Sequence, residues 1–134
     1  MYYRRTVAVA LSSFLAAAAP AYAHHSFAAE FDAAQRSTLT GVVTKVEWTN
    51  PHVWFWINVK DEKTGQLTNW GLEMGSPNAL QHDGGWKYNT MKVGMVVTVT
   101  ASRAKDGSNK GNTSAVIVDG KRLGGASSQG TTNP

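Results

Sequence analysis

An all-β fold of five short strands, with one short helix between the third and the fourth, is what this sequence predicts, and three observations predict it. From Thr38 onward the apolar residues recur at every second position rather than every third or fourth. The alternating runs are short and are bounded by Asn-Pro, Asp and Gly punctuation. The one stretch with helix-start chemistry, Ser76-Pro77, falls after three of those runs.

The first strand, about Leu39 to Trp48, alternates Val42, Val46 and Trp48 with Lys45 and Glu47. It stops at Asn50-Pro51 because proline has no N–H to give to a ladder. The second, Val53 to Lys60, carries Val53, Phe55, Ile57 and Val59 on one face, which forces His52, Trp54, Trp56 and Asn58 onto the other. Asp61-Glu62-Lys63-Thr64-Gly65 reads as a hairpin loop. It leads into a third strand, Leu67 to Met74, with Trp70, Leu72 and Met74 inward and Asn69, Gly71 and Glu73 outward. In Gly75 to Gly85, Ser76 is a helix N-cap, Pro77 suits the first helical position and Gly84-Gly85 terminates the turn. A fourth strand, Met95 to Ser102, turns through Lys105-Asp106-Gly107 and Asn109 to Asn112 into a fifth, Ala115 to Asp119. Three meandering strands, a helix and two more strands are the element order of the OB-fold, so a small five-stranded OB-like Greek-key barrel is expected.

The first 23 residues have a different chemistry. Met1-Tyr2-Tyr3-Arg4-Arg5 is a positive start, Val7 to Ala19 is an apolar run too short to span a bilayer, and Ala21-Tyr22-Ala23 offers the small residues an export protease cuts after. Residues 1–23 therefore read as a signal peptide, and the mature chain is expected in the periplasm or outside the cell. Arg4-Arg5 also touches the twin-arginine export pattern, the rest of which is missing. No cysteine occurs anywhere, which removes a lipoprotein anchor, disulfides, thiolate metal sites and cysteine nucleophiles together. No membrane association is expected after cleavage.

Residues 24 to 134 suffice for one domain with one core. The organisation expected is an N-terminal segment, 24–37, packing on a barrel of 38–123, followed by a disordered tail, 124–134, rich in Gly, Ser, Thr, Gln and Asn. The formal charge of +4 includes Arg4 and Arg5; without them 11 basic residues face 9 acidic ones. That balance has no basic stripe, so nucleic acid is not expected as a partner.

Cleavage after Ala23 would start the mature chain at His24-His25. A terminal histidine offers its amine and ring Nδ1 to one metal ion, and an imidazole from the barrel would complete an all-nitrogen, T-shaped site suited to copper. His52, presented by the turn that Pro51 stiffens, is the expected partner. Alternatively the amine, the intervening amide and the His25 ring hold Cu²⁺ or Ni²⁺ in a plane without any fold. A second constellation is the outward face of the second and third strands, where Trp54, Trp56 and Glu73 form an aromatic platform with a polar edge for a metal-free small ligand. Phe27 and Phe31, four apart, could instead lie across this face and cover both indoles. Other chemistry lacks support: no carboxylates are forced together, no Gly-x-Ser-x-Gly elbow exists, and the Lys105 to Gly111 turns lack a calcium-loop ligand series.

His24-His25-Ser26-Phe27-Ala28-Ala29-Glu30-Phe31-Asp32, Val46-Glu47-Trp48-Thr49-Asn50-Pro51-His52 and Trp70-Gly71-Leu72-Glu73 with Ser76-Pro77 resemble a family of uncharacterised bacterial exported proteins. The resemblance covers nearly all of the mature chain and implies membership without an activity. The terminal-histidine arrangement resembles the histidine brace of copper monooxygenases and periplasmic copper carriers, which carries over only to His24 and His52. It departs from that pattern in having no assigned role for His25 and no axial tyrosine or phenylalanine. The expected function is binding rather than catalysis: an exported protein holding a transition metal, copper first, through His24 and His52 with His25 available.

Overall fold

The computed structural model describes residues 27–127. A single turn of helix, α1 (Phe27–Glu30), leads directly into β1 (Phe31–Glu47), followed by β2 (Trp54–Lys60), β3 (Leu67–Glu73), α2 (Pro77–Asp83), β4 (Val96–Ala104), β5 (Lys110–Val118) and β6 (Lys121–Gly124). The strands form one sheet of order β3-β2-β1-β4-β5-β6, and β3 also pairs with β5. All neighbouring pairs are antiparallel except β3 with β5, which run parallel. The ring β1-β2-β3-β5-β4 is thus completed by three residue pairs, Gly71 with Lys110, Leu72 with Gly111 and Glu73 with Asn112. So short a seam leaves an OB-like barrel that is only partly closed.

The alternation read from the sequence places the core. Val53, Phe55 and Ile57 on β2 and its entry, Leu72 and Met74 on β3 and its exit, and Val97 and Val99 on β4 are all buried, while Trp54, Trp56 and Asn58 are half-buried on the other face. Ser76 caps α2 by accepting from the Ala79 amide at 3.2 Å, Pro77 opens the helix, and Leu80 drops fully buried into the barrel. Gly41 and Val42 are the two residues of β1 that pair with both β2 and β4, where the strand passes from one half of the barrel to the other.

Several expectations change. The described residues form six strands rather than five. The first begins at Phe31, eight residues before the expected Leu39, so residues 31–37 of the expected N-terminal segment belong to the barrel strand itself. The reason is a register shift between Asp32 and Arg36 against β4, which leaves Ala33, Ala34 and Gln35 exposed and hides the period of two. Phe27 and Phe31 do not share a helix face, yet their rings meet at a centroid distance of 5.8 Å. The fifth strand begins at Lys110, inside the stretch expected to be a turn, because the polar residues Asn112 and Thr113 are buried at the seam. Gly124, expected to begin the tail, ends β6, and the backbone of Gly125 bridges Gly75 and Ser114 at 2.8 and 2.9 Å. His24 and His25 lie outside the described residues, as do residues 128–134.

Candidate functional site

The site is built where the β1–β2 loop returns to the sheet. Asn50-Pro51 is a cis peptide, and the loop ends at Val53, whose N–H donates to Gly75 O at 3.0 Å and whose carbonyl accepts from Met74 N at 2.8 Å. With the Val53 side chain fully buried, its neighbours His52 and Trp54 are turned to the outer face. Trp54 pairs with Glu73 across the β2–β3 ladder, so His52, Trp54 and Glu73 share that face. His52 Nδ1 meets Glu73 Oε1 in a very short hydrogen-bonded contact.

Glu73 is 8% exposed, an unusual degree of burial for a carboxylate on an outer face. Its second oxygen, Oε2, accepts from Asn112 Nδ2 at 3.2 Å, and Asn112 Oδ1 accepts in turn from the Ser127 hydroxyl. The parallel register of β3 and β5 sets Asn112 opposite Glu73, and the Gly125 backbone carries the chain over the seam toward Ser127. The result is a polar relay, His52–Glu73–Asn112–Ser127, in which every side chain is partnered. A carboxylate can only accept, so the hydrogen of the neutral His52 ring sits on Nδ1 and the lone pair on Nε2 is left for a ligand.

The other predicted residues fall nearby with different duties. Trp54 and Trp56 stack on each other at 6.1 Å with 27° between planes, and Lys45 Nζ lies 4.7 Å from the Trp56 ring centroid. Trp56 also fills the space that a side chain at Gly71 would take, its Nε1 lying 3.0 Å from an ideal Cβ there. Glu73, expected at the edge of that platform, is engaged by His52 and Asn112. Beyond Trp54 opens a cleft of about 600 Å³ between α1 and the β4–β5 turn, lined also by Phe31, Lys105 and Lys110. Lys105 ties its two walls together, its amide donating to Glu30 O at 2.8 Å and its Nζ to Ala28 O at 2.5 Å. His82 is exposed on the last turn of α2.

Among the described residues no group of three or more His, Asp or Glu is gathered to hold a metal ion; His52 and Glu73 stand as a pair. The members that sequence reasoning missed are Asn112 and Ser127. The pairing of His52 with Glu73 was available, since alternation turns both outward on adjacent strands.

One family model matches residues 11–114, well over half of the chain. The chain belongs to DUF6152, a family of unknown function. The matched span includes His52, Glu73 and Asn112 and ends before Ser127. No curated protein matches. Two solved structures of Rim1, a mitochondrial single-stranded DNA-binding protein of S. cerevisiae, are similar in fold. One is 13% identical with a TM-score of 0.47, covering 66% of this chain and 94% of that one. The other, selenomethionine-labelled, is 15% identical with a TM-score of 0.45, covering 63% and 93%. What these neighbours are named for runs against the expectation that nucleic acid is not a partner, and that exclusion is withdrawn. That expectation rested on the export signal and on balanced, interspersed charges that form no basic stripe.

Proposed function

We propose that this protein is exported and binds a transition metal, copper first, through His52 Nε2 together with the amine and ring of His24 after cleavage at Ala23-His24. The observation that carries the reading is the His52–Glu73 pair. Histidines that ligate metals commonly give their other ring N–H to a carboxylate, which fixes the tautomer, orients the ring and raises its basicity. Here the carboxylate is itself held by Asn112, which is more apparatus than a surface histidine needs.

Chain length supports the second ligand. α1 and Trp54 line the same cleft, and Trp54 lies two residues from His52 on the same face. His24 stands three positions before Phe27, a reach of up to about 10 Å when extended. The aromatic alternative, a metal-free ligand on Trp54, Trp56 and Glu73, has less support because Glu73 is already engaged on both oxygens.

The test is a Cu²⁺ titration of the mature protein, of a form carrying one additional N-terminal residue, and of His52→Ala. Both changes are expected to weaken binding, since each removes one nitrogen donor. A site made by the amine and His25 alone would survive His52→Ala unchanged, and equal affinities in all three would end the reading.

A further inference from the structure

We infer that Ser127 and Asn112 are positioning residues of the His52 site, and that the segment just past β6 therefore sets its metal affinity. The inference rests on the metal reading for its affinity readout but not for its structural one.

An asparagine amide can turn over, exchanging donor for acceptor with little change of shape. If the Asn112 amide turned, its Oδ1 would face Glu73 Oε2, acceptor against acceptor, inside a site where Asn112 is 2% exposed. The carboxylate, which only accepts, keeps Nδ2 turned toward itself, and the Ser127 hydroxyl holds the amide there from the other side by donating to Oδ1. Glu73 so anchored has one oxygen left for His52 Nδ1. The carboxylate thus sets the polarity of both neighbours, and the Ser127 hydroxyl on the segment past β6 holds the Asn112 amide in the position that anchors it.

The segment's course makes the contact obligatory. Gly125 N donates to Ser114 O at 2.9 Å and Gly125 O accepts from Gly75 N at 2.8 Å, so the backbone bridges the exit of β3 and the middle of β5 beside the seam where the relay lies. Ala126 packs against the core beside it.

The experiment compares Ser127→Ala and Ser127→Thr with the mature wild type by two measurements. The first is the tautomer of His52 in the metal-free protein, read from its ring ¹⁵N shifts; the second is the Cu²⁺ dissociation constant. Wild type and Ser127→Thr are expected to show one tautomer, with hydrogen on Nδ1, and similar affinity. Ser127→Ala is expected to show mixed tautomers and binding about tenfold weaker, the lower range for loss of an outer partner of a ligating histidine. A folded Ser127→Ala that keeps one tautomer and wild-type affinity overturns the inference, as does a loss that threonine fails to rescue. If wild type binds no metal, the metal reading fails alone, and the tautomer still decides whether the relay orients His52.

Discussion

Glu73 accepts from His52 with one carboxylate oxygen and from Asn112 with the other, so a single buried carboxylate joins the β1–β2 loop to the barrel seam. Loss of that charge should be felt at both ends. Glu73→Gln keeps the shape but has one acceptor for two donors. It is expected to cost about 1–3 kcal/mol of stability through the donor left unpaired. It should also weaken Cu²⁺ binding by about 10–100-fold. Urea denaturation and metal titration of the same preparation check both, and an unchanged unfolding midpoint would count against the buried pairing.

Trp86 fastens the end of β6. Its indole N–H donates to Gly124 O at 2.7 Å, while the ring is 2% exposed. Trp86→Phe retains most of the apolar volume and removes the donor. It should destabilise by about 0.5–1.5 kcal/mol in urea unfolding through the lost hydrogen bond, with a further cost for the space the smaller ring leaves.

Two adjacent glycines should behave oppositely. A Cβ on Gly125 would lie 2.0 Å from Thr113 O and 2.7 Å from its carbonyl carbon, whereas one on Gly124 meets nothing within 4 Å. Gly125→Ala is expected to lift the segment from the seam at a cost on the order of 3 kcal/mol. Gly124→Ala should stay within about 0.5 kcal/mol of wild type. Thermal unfolding of the two variants checks the contrast, and similar midpoints would contradict the docking of Gly125 on Thr113.

The β2–β3 hairpin carries a pH dependence. Asp61 Oδ1 accepts from the Thr64 and Lys63 amides at 2.8 and 2.9 Å, and these bonds hold its carboxyl below the ordinary value of 3.8. A carboxylate with a depressed folded value contributes stability above its unfolded pKa and loses it as pH falls through the folded one. Asp61→Ala should therefore melt below wild type at pH 7, with the difference shrinking as the pH drops under 3.8. A constant gap across that range would mean that the charge is not the source.

Much of the barrel was legible because β2 and β3 alternate cleanly and α2 announces itself by Ser76-Pro77. The start of β1 was not, since the irregular pairing between Asp32 and Arg36 exposes three consecutive residues and breaks the period. Asn112 read as a turn residue because an asparagine in a sequence gives no sign that a parallel neighbour will bury it. The site was half legible for the same reason. His52 and Glu73 belong to consecutive elements and follow from alternation, whereas Asn112 reaches Glu73 through a non-sequential pairing and Ser127 through a segment whose composition suggests a loose tail.

The passage of β1 through both halves of the barrel has a kinetic consequence. Only Gly41 and Val42 belong to both ladders, so neither half can detach while those two residues keep their partners. Their amides should exchange with solvent only through global opening, among the slowest in the chain. With partners both near and distant in sequence to find before the ring is complete, the chain should fold on the millisecond-to-second scale of barrels rich in non-local pairing, in one cooperative event.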